Sequence, residues 1–213
     1  MSLISTYRFI RLKIEDVRHY IWRKRLRQTD FTIISNNCWG GTISQYLGLK
    51  YNSPTVGLII FPEDYLKFCA DLKRYLDMEL TFIELKDSKM AERFQFKPGG
   101  DGDFPVGVLG DIEVYFMHYK STKEAYEKWN RRKNRINWNR ILCKLSERDG
   151  ATEGQLRAFA RLPYKKVIFT QKKYSNMDGA VYIPGLKRAD KIGVSEVGLT
   201  LKVCNVVKLI NDI

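Results

Sequence analysis

The chain has 213 residues, of which 37 are lysine or arginine and 24 are aspartate or glutamate, so its formal net charge at pH 7 is +13. A hydrophobic content of 44% is enough for a sizeable core and excludes a disordered chain, and no apolar run is long enough to span a membrane. The four cysteines lie far apart with no CxxC pair, which excludes a zinc knuckle and a disulfide framework.

The first predicted element is a basic helix over residues 7–27. Its apolar face is formed by four aliphatic residues at helical spacing: Ile10, Ile14, Val17 and Ile21. Residues 1–30 carry eight lysines and arginines against three acidic residues. Such a helix can lie on an anionic membrane surface, or it can pack on its own domain or on a second subunit. The N-terminus has no signal-peptide pattern, so we expect a cytoplasmic protein, with peripheral contact at the inner membrane face as an open alternative.

A buried strand at Phe31–Ser35 is predicted next, followed by a tight turn and a short helix at Thr42–Leu47. The turn contains Ser35, Asn36, Asn37, Cys38, Trp39, Gly40 and Gly41. Ligands and reacting groups are commonly placed where a strand of an α/β protein ends and a helix begins. This turn is therefore the leading candidate for a functional site.

The later elements alternate between strands and helices. In chain order we predict an apolar run at 53–60, a helix at 62–76, a strand at 80–85, a loop at 97–103, a hairpin at 106–118, a helix capped by Ser121 or Thr122, a helix at 153–161, strands at 166–170 and 180–184, and an apolar tail at 199–213, either strand or helix. The alternation predicts one α/β domain over residues 1–213, with its core at about 30–185. We expect a mixed β-sheet because of the hairpin, helices on both faces, and the basic helix packed outside.

The turn also carries a family resemblance. Further matching segments are 47–58, 118–121, 125–133 and 162–170, so the resemblance covers roughly residues 30–172. Together they resemble a bacterial family of unknown function whose members are often labelled exopolysaccharide or capsular polysaccharide biosynthesis proteins. The resemblance implies an α/β fold and an association with polysaccharide assembly, and it assigns no catalytic residue.

Cys38 is the candidate nucleophile of the turn. A thiol near a helix N-terminus can have a lowered pKa, which makes the thiolate available. His118 ends a predicted strand and is a better candidate base than His19. Asp178 and Asn37 are candidates to orient its imidazole. The alternative is structural, because buried free cysteine is common and the glycines and asparagines of the turn can serve positive φ angles.

The same turn suits ligand binding without covalent catalysis. Gly40 and Gly41 allow backbone amides to approach a phosphate, while the side chains of Asn36 and Asn37 can bind sugar hydroxyls. The pattern is neither a P-loop nor a GxGxxG fingerprint. The segment 53–55 is a further candidate to line the same crevice.

An acidic pair, Asp101 and Asp103, has the spacing of the metal-binding acids in many sugar-nucleotide transferases. Here the pair follows a glycine-rich loop instead of a strand, which favours a solvated turn. We therefore predict no metal site, and no cofactor follows from the other motifs.

A second basic segment, residues 117–173, has sixteen lysines and arginines against five acidic residues. Its candidate phosphate ligands are Arg131, Arg132 and Lys133. With Trp129 and Trp138 nearby, this run can hold phosphates and stack on bases or sugars. Arg132 alone breaks the apolar helix face of Trp129 and Ile136, so a core position for Trp129 and a merely solvated basic face are the alternative.

Two classes of function follow from these motifs. The first is an enzyme of bacterial polysaccharide assembly that transfers a glycosyl or acyl group from an activated, phosphate-bearing donor such as a nucleotide sugar. In it the 36–41 turn forms the pocket rim, His118 acts as acid or base, and 131–133 holds the anionic donor. The second is a non-enzymatic binder of anionic glycan or, less favoured, nucleic acid through the two basic segments. The enzyme requires His118 and the turn to share one pocket, and a homo-oligomer is compatible with either class.

Overall fold

The computed structural model describes residues 15–94, 104–190 and 195–213. The acidic pair Asp101 and Asp103 and residues 7–14 of the predicted basic helix lie outside those residues. Within them the helices are α1 (15–24), α2 (Trp39–Tyr46), α3 (Pro62–Ala70), α4 (Leu72–Asp77), α5 (Thr122–Lys133), α6 (Glu153–Ala160), α7 (Glu196–Thr200) and α8 (Val206–Asn211). The strands are β1 (Thr32–Ser35), β2 (Thr81–Ile83), β3 (Val106–Leu109), β4 (Ile112–Tyr115), β5 (Ile141–Ser146), β6 (Lys165–Thr170) and β7 (Ala180–Tyr182).

The strands form two sheets. The larger sheet is parallel with the order β1, β5, β6, β7, and Ile34 of β1 lies opposite Cys143 of β5. The smaller sheet is antiparallel with the order β2, β3, β4. Gly110 joins β3 to β4 with a φ of +60°, in the left-handed region that this short turn favours. The α/β prediction is confirmed, with the parallel strands and the hairpin in separate sheets.

Helices cover both faces of the parallel sheet because successive side chains of each strand point to opposite sides. One face, which includes Cys143, packs against buried side chains of α3, α5 and α6 and against the smaller sheet. The other face, which includes Leu142, packs against α2, α7 and α8. Lys144 and Ser146 follow Leu142 at alternate positions of β5, so they face α2 and α7.

Several predicted elements differ in extent. The predicted helix at 62–76 divides into α3 and α4 at Asp71, whose φ of −138° and ψ of 60° are not helical. The run 53–60 forms only an isolated bridge from Ile59 to Tyr115. The tail forms helices α7 and α8. The strand β5 is absent from the predicted elements, although it lies between β1 and β6 in the sheet.

The basic helix α1 packs on the outside of the domain through few side chains. Trp22 and the nearby Leu26 are partly buried against the α2 side of the core, and Arg23 Nη1 donates to the Gly48 carbonyl at 2.9 Å. Val17 is 58% exposed and Ile21 is 41% exposed. Val17 and Ile21, the part of the predicted apolar face that the structure describes, are therefore uncovered, and an adjacent face makes the contacts. Ile10 and Ile14 lie outside the described residues. In the described ranges, no helix has the length and apolar character needed to cross a bilayer.

Candidate functional site

A cleft of about 330 Å³ lies beside the turn that follows β1. Four parts of the chain line it: α2 with its N-cap, the 51–57 loop, helix α5, and the segment that follows β4. The lining residues are Cys38, Gly41, Thr42, Gln45, Tyr51, Val56, Gly57, His118, Tyr119, Lys128 and Arg132. We call it the Cys38 cleft. It lies at the carboxyl end of a parallel strand, where open α/β sheets bind their ligands. Cys38 and His118 thus line one cavity, as the transferase hypothesis requires.

The first turn of α2 approaches its surroundings closely at two glycines. A methyl group in place of the Gly40 hydrogen would lie 2.8 Å from Ile33 Cγ2, and one on Gly41 would lie 2.9 Å from Val56 Cγ1. Glycine at these positions therefore lets α2 lie directly on β1 and on the 51–57 loop. The amide groups of this first turn have no acceptor within the helix, and they give the cleft a partial positive charge.

We expect Gly41→Ala to lower the free energy of unfolding by about 1–3 kcal/mol, because the added methyl overpacks against Val56. Urea denaturation measures this loss. Gly154, in the first turn of α6, has its nearest neighbour at 3.9 Å and is the matched control. Gly154→Ala is expected to be neutral or stabilising by up to about 1 kcal/mol. The double variant Gly41→Ala/Val56→Ala should not show the added cost of overpacking, because the Val56 side chain is then shortened. Equal losses of stability in Gly41→Ala and Gly154→Ala would contradict the close approach of Gly41 to Val56.

His118 is exposed at the rim of the Cys38 cleft. Its backbone N–H donates to the Gly57 carbonyl at 3.1 Å, and Gly57 has a φ of +77°, which favours glycine. This contact holds the segment after β4 against the 51–57 loop. The imidazole remains accessible, which suits a general acid or base.

Arg132 is a buried cation of the cleft, with only 6% of its surface exposed. Its Nη1 donates to the Val56 carbonyl at 3.2 Å and to Tyr119 Oη. Its Cζ lies 5.0 Å from the centroid of the Tyr51 ring. None of the lining residues is acidic, and Arg132 forms no ion pair with a carboxylate of the described residues. A buried charge is costly without an opposite charge, so an anion bound in the cleft would stabilise this guanidinium.

The neighbours of Arg132 in the predicted basic run point elsewhere. Arg131 is exposed, and Lys133 Nζ donates to the Leu76 carbonyl at 3.1 Å, so neither lines the cleft. Lys128, one helical turn before Arg132, does line it and forms an ion pair with Glu124. The two cations that line the cleft are therefore Arg132 and Lys128. Among the described residues, only Lys128 has a carboxylate partner.

Cys38 is the N-cap residue of α2 and is partly buried in the cleft. Burial raises the pKa of its thiol above the ordinary value of 9.0, while the positive charge of Lys144 acts in the opposite direction. The expectation of a lowered pKa is therefore wrong for the protein without ligand, because desolvation outweighs the nearby positive charge. A nucleophilic role would require a base, and His118 is the imidazole that lines the same cleft.

Alkylation of Cys38 by iodoacetamide is expected to reach half of its maximal rate above pH 9, because only the thiolate reacts and its pKa is raised. Peptide mass spectrometry separates the four thiols. Cys204, whose pKa burial raises to about 11, is the internal control and should react at still higher pH. A midpoint for Cys38 near neutral pH would instead show an activated thiolate.

A buried ionic network supports the turn beneath the cleft. Lys144 is fully buried and forms an ion pair with Glu196. Its Nζ also donates to Asn37 Oδ1 at 2.9 Å and to Asn36 Oδ1 at 3.3 Å. Asn37 Nδ2 donates to Glu196 Oε2 at 2.8 Å, while Asn37 Oδ1 accepts from the Trp39 amide at 3.1 Å. The two asparagines, predicted to bind substrate, thus contact the network and hold the turn in place, and neither lines the cleft.

Glu196 lies at the start of α7 and is the acidic centre of this network. Ser146 Oγ and Arg148 Nη1 each donate to its carboxylate at 2.7 Å, in addition to Lys144. Burial taken alone raises the pKa of this carboxyl. The charge of Lys144 and the three sets of hydrogen bonds outweigh burial and lower the pKa to about 2.

Stability is expected to fall in acid because of Glu196. Its pKa is about 2 in the folded protein, against an ordinary value of 4.5. A carboxyl with a depressed folded pKa contributes stability above its unfolded pKa, and that contribution is lost as the pH falls towards the folded pKa. We expect a loss of about 3 kcal/mol between about pH 5 and about pH 2, measured by urea denaturation. Glu196→Gln should have a flatter pH dependence, and an unchanged slope would contradict this assignment.

Two other predicted groups lie outside the cleft. Asp178 pairs with Lys166 Nζ at 2.9 Å near the amino end of β6, so it does not orient His118. In the 53–55 segment, Thr55 Oγ1 accepts from the Ser35 amide at 3.0 Å and ties the loop to β1. Within the described residues, no group of three or more histidine, cysteine, aspartate or glutamate side chains is arranged to hold a metal ion.

Sequence reasoning missed the residues that complete the site. Lys144 and Glu196 lie in segments without a recognised motif, and Tyr119 follows His118 without an obvious role in the sequence. Tyr119 Oη donates to the Val56 carbonyl at 2.5 Å and contacts Arg132. The available signal for Lys144 was a lysine inside an apolar run.

Comparison with known proteins places these features in a family. A family model described as a domain of unknown function, DUF1919, matches residues 9–210, which include every residue that lines the Cys38 cleft. An uncharacterized protein of Haemophilus influenzae is 36% identical over 172 residues, which are 80% of this chain and 76% of the relative.

Proposed function

The chain belongs to the DUF1919 family of unknown function, and we propose that it is a transferase whose active site is the Cys38 cleft. In this proposal the enzyme moves a glycosyl or acyl group from an activated donor that carries phosphate. The sequence resemblance to proteins labelled for exopolysaccharide biosynthesis supports an acceptor in polysaccharide assembly.

The observation that carries the proposal is the environment of Arg132. This buried guanidinium has no carboxylate partner among the described residues, and the cleft has no acidic lining residue. Lys128 and the positive end of the α2 dipole add to the positive electrostatic potential of the cleft. A phosphate or diphosphate would supply the opposite charge, and the guanidinium geometry suits phosphate oxygens.

The reacting groups would be Cys38 and His118. In acyl transfer, His118 would accept the thiol proton as Cys38 Sγ forms a bond to the acyl carbon, and that proton would leave with the departing donor group. The acceptor hydroxyl would then attack the thioester, and its proton would return to the sulfur through His118. In glycosyl transfer, His118 would accept the proton of the acceptor hydroxyl while the donor phosphate leaves towards Arg132. The raised pKa of the Cys38 thiol fits a thiol that is activated only with donor and base in place.

The competing function is charge-driven binding of a polyanion through the two basic segments. Arg132, which belongs to the second segment, lies inside a cleft and not on an open surface. This position favours a small anionic ligand over an extended polymer.

A thermal-shift screen tests the proposal. Wild-type protein is heated with nucleotide sugars, acyl-CoA, plain nucleotides and short oligonucleotides, because a ligand that binds the folded state raises its melting temperature. We expect one class of small donor to stabilise the protein and to be consumed on addition of a glycan acceptor. Cys38→Ser and His118→Asn should both retain donor binding, and loss of turnover in Cys38→Ser would assign acyl transfer.

Two results would overturn the proposal. The first is stabilisation by oligonucleotides alone that disappears in high salt, which would indicate a polyanion binder. The second is donor turnover that survives in His118→Asn and Cys38→Ser together, which would place the chemistry elsewhere. Asn37→Ala is unsuitable as a site variant, because Asn37 contacts both Lys144 and Glu196 and its loss would disturb the fold.

A further inference from the structure

A cationic groove of about 680 Å³ lies at the end of α1, away from the Cys38 cleft. Its charged lining residues are Arg25, Arg27, Lys202, Lys208 and Asp212. None of the four cations forms an ion pair with a carboxylate of the described ranges. The groove is therefore a concentrated positive surface that is open to an anionic partner.

Exposed apolar side chains precede the groove along α1. Val17, Tyr20 and Ile21 are 58%, 62% and 41% exposed, and their spacing places them on one face of α1. Arg25 follows Ile21 by one helical turn, and its amide donates to the Ile21 carbonyl at 3.1 Å. Val203, which lines the groove, is 49% exposed. The exposed apolar residues of α1 thus lie about one to two helical turns before Arg25, which lines the groove.

Hydrogen bonds fix the end of α1 to α8 across the groove. Asn211 Nδ2 donates to the Arg25 carbonyl at 3.0 Å, and the Arg27 amide donates to Asn211 Oδ1 at 2.9 Å. These two bonds hold the end of α1 against α8, whose Asn211 also lines the groove. We group the exposed residues of the α1 face with exposed residues of the groove as the α1 surface: Val17, Tyr20, Ile21, Arg25, Lys202 and Val203.

We propose that the α1 surface docks the protein on an anionic lipid bilayer. Val17, Ile21 and Val203 would enter the boundary between headgroups and acyl chains, Tyr20 would lie at the interface, and the groove cations would face lipid phosphates. A helix with exposed aliphatic residues beside unpaired cations has the chemistry of an interfacial helix. This inference does not depend on the transferase proposal, because it uses no residue of the Cys38 cleft.

Charge and polarity favour a membrane over other partners. A nucleic acid would satisfy the cations but offers no apolar phase for the aliphatic side chains of Val17 and Ile21. A second copy of this chain in a two-fold dimer would bring the two cationic grooves together, which like-charge repulsion opposes. An anionic bilayer offers lipid phosphates to the cations of the α1 surface and an apolar phase to its aliphatic side chains.

Co-sedimentation with vesicles tests this proposal on the full chain. The vesicles contain phosphatidylcholine alone or phosphatidylcholine with phosphatidylglycerol. We expect binding only to the second type, with a partition coefficient that falls as salt is added. Arg25→Ser/Lys202→Ser should lower the partition coefficient about 25-fold, since each cation near an anionic surface contributes about fivefold. Val17→Ser/Ile21→Ser should also weaken binding.

Matched controls use exposed side chains elsewhere on the protein. Lys73→Ser/Lys123→Ser removes two exposed lysines, and Tyr126→Ser removes an apolar side chain that is 43% exposed. Both should bind vesicles like wild type, and a thermal melt confirms that every variant is folded.

Three outcomes would overturn the proposal. The first is absence of binding to phosphatidylglycerol vesicles. The second is binding that the control variants weaken as much as the α1 variants, which would reflect net charge alone. The third is concentration-dependent dimerisation that Val17→Ser/Ile21→Ser abolishes while vesicle binding is unaffected, which would assign the face to a second copy.

Discussion

Glu196→Ala is expected to lower the free energy of unfolding by about 3–5 kcal/mol, because it leaves a buried ammonium without its opposite charge. Lys144 has no exposed surface, and its other acceptors are the amide oxygens of Asn36 and Asn37. Neither amide replaces a carboxylate, since a neutral dipole compensates a buried charge only in part. Urea denaturation followed by circular dichroism measures the loss.

Companion variants separate the ion pair from other effects. Lys144→Met/Glu196→Leu should recover part of the stability, because it removes the two most buried charges with their desolvation cost, while the partly exposed Arg148 loses its contact with the Glu196 carboxylate. Glu127→Ala, at an exposed position of α5, is the matched control and should stay within about 0.5 kcal/mol of wild type. A Glu196→Ala protein as stable as Glu127→Ala would show that Lys144 does not depend on this carboxylate.

Arg132→Gln is expected to weaken binding of a phosphate-bearing ligand by at least about 30-fold, since it truncates one partner of a buried charge pair. Isothermal titration with inorganic pyrophosphate, and with any donor found in the screen, measures the change. Arg131→Gln is the matched control, because it removes the adjacent, exposed arginine. Arg131→Gln should leave the affinity within about twofold of wild type, because solvent and salt screen the loss of an exposed charge outside the cleft.

Arg132→Lys refines this second prediction. A lysine keeps the charge but loses the planar group that donates to Val56 and lies over Tyr51, so it should recover only part of the affinity. Thermal melts must show that each variant folds, because Arg132 also joins α5 to the 51–57 loop. Equal affinities for Arg132→Gln and Arg131→Gln in folded proteins would refute the role of Arg132 as the anion ligand.

Local patterns in the sequence predicted much of the fold. Ser121 or Thr122 was predicted to cap a helix, and the cap is Ser121, whose side chain accepts from the Glu124 amide at 3.2 Å. The turn between β3 and β4 was predicted from the dipeptide Gly110-Asp111. Such features depend on residues that are neighbours in the chain, so their physics is visible in a short window.

The strand β5 could not be predicted in the same way. Lys144 interrupts its apolar run, and a lysine in a buried strand is stable only with a partner. That partner, Glu196, belongs to a segment far along the chain, and no local pattern connects the two. The sequence therefore indicated the turn at Asn36 and Asn37 but not the ion pair that supports it.

The candidate site shows the same division. Cys38 was singled out because it lies between a strand and a helix, and His118 because it ends a strand, and both line the cleft. Arg132 was the one residue that broke an otherwise apolar helix face. Buried charge on such a face is explained only when the 51–57 loop and Tyr119 are seen around it.

The dependence of the turn on Glu196 also has a consequence for biosynthesis. The strand β5, which carries Lys144, is synthesised well before α7, which carries Glu196. Lys144 therefore has no contact with the Glu196 carboxylate until α7 has been made. A nascent chain at that stage can form the hairpin and pack α3 against the smaller sheet, but it has no counter-charge for the centre of the parallel sheet. The ion pair beneath Asn37 and Cys38 therefore forms only after α7 has been synthesised, later than the residues of the hairpin and α3.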